Sequence, residues 1–250
     1  MSQEKRNLRN LKKTAREMGI LTDGLSREMV EYEIEKKTKG KSPDRQRHAM
    51  GKKLGITGSH GSVAEVQLGR KLCAKKQFRK NRSNQNIKRE VQLQNEAAAA
   101  GVSPKILEYN LNSKYIIMQR LCTNLWDILK KKRGKLSKKL QKEILLIFRI
   151  LDNIGVFHKD PNPLNFMLDA TNTLYIIDFG YAKRVDPKKD GKTPNQNQMT
   201  LGLLMKLSQF FPGVEYPTLK NSLPAHLAAM IQTTNSSIDG GSGSNDDRIS

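Results

Sequence analysis

The fold of this chain is decided by the stretch HKDPNPLNFMLDATNTLYIIDFG at residues 158–180. It holds Asp160, then Asn165 five residues later, and then Asp178 after thirteen more residues. Two short apolar runs flank the turn ATNT, and this pattern predicts a tight two-stranded ribbon. The ribbon brings Asn165 and Asp178 to one side, where their side-chain oxygens are ligands that Mg²⁺ prefers. Asp160 lies on the loop before the ribbon, where a carboxylate can accept the proton of a hydroxyl group.

A long helix is predicted directly before this loop. Residues 137–156, SKKLQKEILLIFRILDNIGV, begin with Ser137, whose hydroxyl suits the N-cap position, and continue with a broad apolar face. Such a face predicts a helix that is buried in the core. A last helix is predicted near Met199–Phe211, followed by weakly structured sequence and by SSIDGGSGSNDDRIS, which is typical of a flexible tail.

Upstream of this helix, the sequence predicts a small sheet with one helix packed on it. From Ile56 onward the apolar residues alternate as they do in strands, and the first two runs are split by a hairpin signal, Gly69-Arg70. A helix and two further strands are predicted after this hairpin, at residues 84–100, 105–109 and 114–121.

A turn with two glycines opens the sheet. The stretch ITGSHGSVAEV contains Gly58 and Gly61, with Val63 two residues further on. Glycine allows backbone N–H groups to approach phosphate oxygens closely, so this turn is a candidate anion-binding loop. An ordinary glycine-rich hairpin turn would have the same composition.

The motif LCAKKQ on the next strand supplies candidate lysines. Alternate residues of a strand face opposite sides, so Ala74 and Lys76 share one face, and Lys75 is the alternative in a shifted register. A lysine in a pocket needs an acidic partner on the following helix, where Glu90 and Glu96 both qualify. Glu90 is favoured because it lies a turn or more inside the predicted helix.

Together these motifs resemble the eukaryotic-type protein kinase superfamily over residues 56–183. The loop form HxDxxPxN and the run EAAAAGVSPKIL are most similar to its minimal members. Those are the small kinase subunit of the KEOPS complex, RIO-type kinases and reduced kinases of large DNA viruses. The resemblance implies an α+β, bilobal kinase-like fold with a truncated C-terminal lobe and a helical N-terminal extension. The implied divisions are an extension at 1–53, a small lobe at 54–120, a large lobe at 121–235 and a tail at 236–250.

The resemblance also implies a role for each motif. Lys76 would contact the α- and β-phosphates of ATP, and Glu90 would hold this lysine. Asp160 would be the catalytic base, while Asn165 and Asp178 would bind Mg²⁺. The other residues implied for nucleotide binding are Ile56 in place of the first loop glycine, Gly58, Ser59, Gly61, Val63, Ala74, the gatekeeper Met118, Gln119 and Leu121.

Besides Ile56 in the glycine turn, the sequence departs from the family pattern in three places. Asn162 stands two residues after the catalytic aspartate, where Ser/Thr kinases have a lysine that neutralises the transferring phosphoryl group. Lys159 replaces the usual arginine, and a lysine cannot make the bidentate contact by which arginine binds an activation-loop phosphate. After DFG only 70 residues remain, and they contain no APE motif. The substrate-binding half of the large lobe is therefore expected to be short.

The chain is strongly basic, with 45 Lys and Arg against 24 Asp and Glu and a net charge of +21. Such an excess attracts polyanions. Residues 1–55 carry 15 of the basic and 8 of the acidic residues, and their two predicted amphipathic helices resemble a SAP-like DNA-binding module. We expect a separate arm that contacts DNA or RNA. The alternative is a helical hairpin that packs on the small lobe.

No stretch approaches the roughly 18 apolar residues of a membrane span, and the first residues lack the apolar core of a secretory signal. A cytoplasmic, nuclear or virion location in a host cell is therefore expected, without a membrane partner. The expected function is the transfer of the γ-phosphoryl group of MgATP to a serine or threonine hydroxyl of a protein that is basic or bound to nucleic acid. Two alternatives stay open: a small-molecule or RNA kinase or ATPase on the same fold, and a nucleic-acid-binding pseudokinase scaffold.

Overall fold

The computed structural model describes residues 3–20, 22, 27–39, 54, 61–68 and 71–236. Three residues predicted for the glycine turn, Ile56, Gly58 and Ser59, lie outside the described residues. Residues 40–53 and 237–250, which include nearly all of the predicted tail, lie outside them as well.

The helices and strands that the sequence predicts between residues 61 and 211 occur within a few residues of their predicted bounds, while the short elements at 123–131, 156–157 and 183–190 were not predicted. No helix in the described ranges is long and apolar enough to cross a membrane. The described helices are α1 (Gln3–Glu17), α2 (Arg27–Lys39), α3 (Asn84–Ala99), α4 (Leu125–Lys131), α5 (Lys138–Asn153), α6 (Pro187–Asp190), α7 (Thr200–Phe210), α8 (Pro217–Lys220) and α9 (Ala225–Ser236). The described strands are β1 (Gly61–Leu68), β2 (Lys71–Phe78), β3 (Ile106–Asn110), β4 (Tyr115–Gln119), β5 (Thr123–Asn124), β6 (Val156–Phe157), β7 (Phe166–Leu168), β8 (Leu174–Ile176) and β9 (Lys183–Arg184).

The smaller lobe is a four-stranded antiparallel sheet in the order β1-β2-β4-β3, with α3 packed against it. Ser83 caps α3, because its hydroxyl accepts a hydrogen bond of 3.2 Å from the backbone N–H of Asn86. Ile87 and Val91 of this helix are buried against apolar side chains of the sheet. The same packing buries the charged side chain of Glu90.

The larger lobe is built around α5, as its apolar face predicts. The Ser137 hydroxyl accepts a hydrogen bond of 3.2 Å from the backbone N–H of Leu140, which confirms the predicted N-cap. Phe148 on the buried face meets Phe166 of β7 edge to face, with ring centroids 5.8 Å apart. β7 then pairs antiparallel with β8, which sets Phe166 beside Ile176 and forms the predicted ribbon. The loop between α5 and β7 is thus held at both ends by buried elements.

The chain after Phe211 contains two further helices, which corrects the expectation of weakly structured sequence. Pro217 occupies the first turn of α8, where its fixed φ suits a helix start. Leu219 and Leu223 in this region and Ile231 on α9 are buried in the same core as α5 and α7. The apolar residues are too few and too widely spaced to form a clear helical period, so the pattern did not reveal these elements.

The N-terminal segment forms the two predicted helices, but they pack on the larger lobe. Ala15 of α1 and Met29 of α2 are buried in the core of that lobe. Glu33 of α2 accepts a hydrogen bond of 2.9 Å from Trp126 Nε1, and it pairs with Lys130 Nζ of α4 at 2.5 Å. The docking differs from both expectations, a separate arm and a hairpin on the small lobe. Helical periodicity identifies an apolar face, but it carries no information on which surface that face covers.

Candidate active site

Lys76 is held between two carboxylates at the junction of the lobes. It lies on β2 opposite Ile116 of β4, and it is buried. Its Nζ lies 2.5 Å from Glu90 Oε1 and 2.8 Å from Asp178 Oδ1. Burial on its own would lower the pKa of Lys76, but the attraction of Asp178 and Glu90 outweighs it and raises this pKa above its ordinary value. The ammonium group therefore stays charged.

The two charged residues that the sequence left as alternatives lie elsewhere. Lys75 Nζ lies 4.3 Å from the centre of the Tyr115 ring, on the face of the sheet opposite Lys76. Glu96 pairs with Arg184 Nη2 at 2.5 Å, beyond the site and towards the end of α3. Neither alternative joins the buried cluster.

Arg82 connects this cluster to the turn that follows Asp178, and the sequence analysis missed it. Its Nη2 donates hydrogen bonds to Glu90 Oε2 at 3.2 Å and to the Gly180 carbonyl at 3.0 Å. One guanidinium thus holds both α3 and the segment after β8. No local pattern marks Arg82, because Gly180 is 98 residues away in the sequence.

Asp160 and Asn165 are hydrogen bonded to each other. Asn165 Nδ2 donates to Asp160 Oδ2 at 2.7 Å and to the Asp160 carbonyl at 3.3 Å. The backbone N–H of Ile177 donates to the Asn165 carbonyl at 2.8 Å, which joins the end of the ribbon to the loop. Asp178 follows with a left-handed backbone, φ 65° and ψ 72°, a conformation that aspartate adopts more readily than most residues. The ribbon therefore brings Asn165 and Asp178 to the same cavity, as predicted.

His158 and Asn195 form a buried scaffold beneath the loop. The Asn195 side chain accepts a hydrogen bond of 3.0 Å from the backbone N–H of His158 and donates one of 2.7 Å to the Val156 carbonyl. His158 Nε2 lies 3.0 Å from the Ile177 carbonyl, which can only accept, so this nitrogen carries the proton. Burial lowers the pKa of His158 below its ordinary value, so the ring is neutral at pH 7. No local pattern in the sequence marks Asn195, because its partners lie 37 and more residues earlier.

Asn162, the departure from the lysine pattern, supports the loop backbone. Its buried side chain accepts a hydrogen bond of 3.0 Å from the backbone N–H of Leu164 and so caps the 3-10 turn at Pro163–Asn165. An amide carries no charge. This position therefore contributes structure to the loop and no cation to the site.

A cavity of about 380 Å³ lies between the lobes, and most of the predicted nucleotide and catalytic residues line it. The backbone N–H of Gln119 donates to the Lys105 carbonyl at 2.9 Å within the sheet. Glu90 does not line the cavity itself, but its carboxylate pairs with Lys76, which does. The predicted residues that line the cavity are Val63, Ala74, Lys76, Met118, Gln119, Leu121, Asp160, Asn165 and Asp178.

Gly61 has a packing role in the sheet, and its predicted phosphate contact stays a prediction. It lies opposite Phe78 in the pairing of β1 with β2. A Cβ atom at this position would come within 2.1 Å of the Gln77 carbonyl oxygen. A close approach between two strands therefore requires the glycine, and the structure does not bring Gly61 to the wall of the cavity.

The oxygen-bearing side chains at the cavity suit a metal ion that takes its remaining ligands from the substrate. Among the described residues, no group of three or more His, Cys, Asp and Glu side chains is placed to hold an ion. Asp178 and Asn165 supply two oxygen-bearing side chains at the cavity. Mg²⁺ is typically bound by one or two carboxylates together with substrate phosphates. These residues fit that pattern of coordination.

A two-lobed fold with a lysine, two carboxylates and an asparagine around one cavity defines a phosphotransferase-like architecture. The family model for the protein kinase domain matches residues 48–202, which is more than half of the chain. The chain therefore belongs to the protein kinase family, a family of phosphotransferases. The superfamily prediction is thus confirmed, while the assignment to its minimal members stays a prediction.

Relatives with known names support the same family. A probable serine/threonine-protein kinase of Fowlpox virus is 33% identical over 69 residues, which are 27% of this chain and 24% of the viral protein. The serine/threonine-protein kinase stk11 of Xenopus laevis is 26% identical over 193 residues, 71% of this chain and 42% of that protein. A hormonally up-regulated neu tumor-associated kinase homolog of Xenopus tropicalis is 27% identical over 149 residues, 53% of this chain and 21% of that protein. The alignments span less than half the length of each relative.

Proposed function

We propose that this chain transfers the γ-phosphoryl group of ATP, bound with Mg²⁺, to a serine or threonine hydroxyl of a protein. The observation that carries the proposal is the ammonium of Lys76, which lies between Glu90 on one lobe and Asp178 on the other. The same cavity is lined by Asp160 and Asn165. A fixed cation, a proton acceptor and two metal-binding side chains thus converge on one space.

The nucleotide side of the cavity suits ATP. Ala74, Met118 and Leu121 give it an apolar wall of the kind that an adenine ring packs against. Lys76 offers a charged donor to the phosphates, and its two carboxylate partners keep it from other rotamers. Mg²⁺, held by Asp178 and Asn165, would neutralise phosphate charge.

The acceptor side suits an in-line transfer to a hydroxyl group. The acceptor oxygen bonds to the γ-phosphorus, the bond from this phosphorus to the bridging oxygen breaks, and ADP leaves. The hydroxyl proton goes to Asp160, whose carboxylate is oriented by the side-chain amide of Asn165. Two of the relatives, of Fowlpox virus and Xenopus laevis, are named as serine/threonine-protein kinases, which supports an alcohol acceptor.

One observation favours a smaller or non-protein acceptor as the second candidate. The segment between the turn at Phe179–Tyr181 and Asn195 is short and contains β9 and the four-residue helix α6. This short segment offers less surface for a protein substrate than a longer one would. A small molecule or an RNA hydroxyl needs less contact surface than a protein substrate does.

The test is a phosphotransfer assay with the purified full chain and γ-labelled MgATP. Casein, histone, the chain itself, RNA and water are offered as acceptors, with Asp160→Asn as the matched inactive variant. We expect label on protein serine or threonine, loss of the label with Asp160→Asn, and loss on chelation of the metal. Label only on RNA or free phosphate would select the second candidate. ATP binding without any transfer would identify a pseudokinase scaffold.

We also propose that the basic N-terminal hairpin contributes to nucleic-acid binding. Residues 1–55 hold 15 basic against 8 acidic residues, and Arg9 and Lys13 of α1 are exposed. Affinity for duplex DNA should then fall steeply with salt, because each neutralised phosphate releases counterions. Arg9→Gln with Lys13→Gln should make that slope shallower, and an unchanged slope would assign any binding to the rest of the surface.

A further inference from the structure

Asp160 has an ion-pair partner from outside the catalytic loop. Lys206, on α7, places its Nζ 3.8 Å from Asp160 Oδ1. The side chains of Lys206 and Asp160 are 30% and 25% exposed, so the pair is in contact with solvent and not buried in the core. The other carboxylate oxygen, Oδ2, accepts the hydrogen bond from Asn165. Asp160 is thus flanked by an amide on one side and by a cation on the other.

The course of α7 accounts for the position of this lysine. Asn195, in the turn that leads into the helix, is bonded to the backbone beneath the loop. Further along α7, a Cβ atom at Gly202 would come within 2.7 Å of Pro161 Cγ. The helix therefore packs against the loop at Gly202, where the absence of a side chain allows the close approach. Lys206 lies four residues after Gly202, which is one turn along the same helix face. The helix therefore presents Lys206 to the loop.

The other candidate cations near the loop have different partners or positions. Asn162 holds the place where a loop lysine is expected, and its amide caps the turn that follows. Lys76 is committed to Glu90 and Asp178. Lys159 is exposed and has a left-handed backbone, with φ 68°. Among the lysines that the structure describes, Lys206 is the one within ion-pair distance of the Asp160 carboxylate.

We propose that Lys206 is a catalytic residue that neutralises the phosphoryl group during transfer, in place of a lysine at position 162. This inference rests on the function proposed above. A hydroxyl that gives its proton to Asp160 lies within about 3 Å of that carboxylate, so the phosphoryl group that it receives comes within reach of the neighbouring ammonium. Negative charge on the transferring group is stabilised best by charges that are already in place. Lys206 forms no covalent bond, and the proton still goes to Asp160.

The experiment compares Lys206→Met and Lys206→Arg with Lys139→Met in the full chain. Lys139 pairs with Glu143 at 3.6 Å on the surface of α5, so its variant removes an ion pair of similar length away from the site. Two quantities are measured for each protein. One is phosphotransfer, as kcat and the KM for ATP. The other is the calorimetric affinity for MgADP with and without aluminium fluoride, which mimics the phosphoryl group in transfer.

We expect Lys206→Met to lower kcat about 100-fold with little change in the KM for ATP, as for the loss of one transition-state donor. Its affinity for MgADP should stay within about twofold, while the gain from aluminium fluoride should shrink by about the same factor as kcat. Lys206→Arg should recover a large part of both, and Lys139→Met should match the wild type.

The inference is overturned if Lys206→Met keeps the wild-type kcat and fluoride effect. It is also overturned if this variant loses MgADP affinity as much as it loses the fluoride complex, because the lysine would then act on the ground state. The proposed function fails separately, when the wild-type chain transfers no phosphoryl group to any acceptor. The fluoride measurement needs no acceptor, so it tests Lys206 even in that case.

Discussion

The two sides of the cavity are held together in different ways. On the nucleotide side, Lys76 is buried and lies within 2.8 Å of both its carboxylate partners. On the acceptor side, Asp160 and Lys206 are partly exposed and stand 3.8 Å apart. In the first arrangement one ammonium is bonded to two carboxylates, whereas the second is a single longer contact with solvent beside it. Under the function proposed above, the nucleotide would meet a preformed ion-paired lysine and the acceptor would meet a more open, solvated pair.

The largest effect is expected at the acceptor side. Asp160→Asn keeps the shape of the side chain and its contact with Asn165, but it removes the proton acceptor. Phosphotransfer should fall by roughly 100- to 10,000-fold, while MgATP affinity stays near normal. Single-turnover transfer and nucleotide titration measure the two quantities. A variant that keeps most of its activity would remove Asp160 from the role of base.

The next effect is expected at the nucleotide side, where neighbouring lysines provide a matched pair. Lys76→Ala leaves Glu90 and Asp178 without their shared cation, and hydrogen bonds to charged groups are worth about 1.5–3 kcal/mol each. We expect a loss of about 100-fold in kcat/KM for ATP. Lys75→Ala should cost little, because Lys75 faces Tyr115 on the other side of the sheet. If Lys75→Ala were the more damaging variant, the functional lysine of the motif would be Lys75 and not Lys76.

Some parts of the site could be predicted from the sequence because they depend on local patterns. Lys76, Asn165 and Asp178 were found because strand alternation and the ribbon are local patterns, and α5 and its Ser137 cap were found for the same reason. Gly61 was predicted to bind phosphate, and the structure adds a requirement from strand pairing that the sequence did not reveal. Local composition could not distinguish those two uses of a glycine.

Arg82, Asn195 and Lys206 could not be found in this way. Each acts through a partner distant in sequence, such as Gly180 at a separation of 98 residues for Arg82. Their positions depend on how the lobes and α7 come together, and a window of neighbouring residues does not contain that information. The docking of the N-terminal helices on the larger lobe was missed for the same reason.

A smaller effect is expected at Arg82, which joins α3 to the turn that follows Asp178. Arg82→Gln should lower kcat/KM about tenfold, because one charged hydrogen bond to Glu90 is lost while Lys76 still holds that carboxylate. Arg89→Gln is the control, since Arg89 is an exposed residue next to Glu90 on α3. Equal activities for the two variants would show that the contact between Arg82 and Gly180 does not position the site.

The smallest effect on activity is expected from the contact between α2 and α4, which lies outside the cavity. Trp126→Phe keeps an aromatic ring but removes the N–H donor to the buried carboxylate of Glu33. Stability should fall by about 1.5–3 kcal/mol, the usual cost of a lost hydrogen bond to a charged group. Urea unfolding measures this change, and kcat should stay within about twofold of the wild type.

A matched comparison separates this docking contact from a surface ion pair. Arg27 and Glu31 form an ion pair of 2.8 Å one turn apart on α2. Arg27→Gln should cost only about 0.3–0.5 kcal/mol, as exposed pairs on a helix usually do. If Trp126→Phe costs no more than Arg27→Gln, the hairpin does not stabilise the larger lobe through Glu33. If instead Trp126→Phe lowers stability and kcat together, the hairpin also acts on the cavity, because α4 contributes Asp127 to the cavity wall.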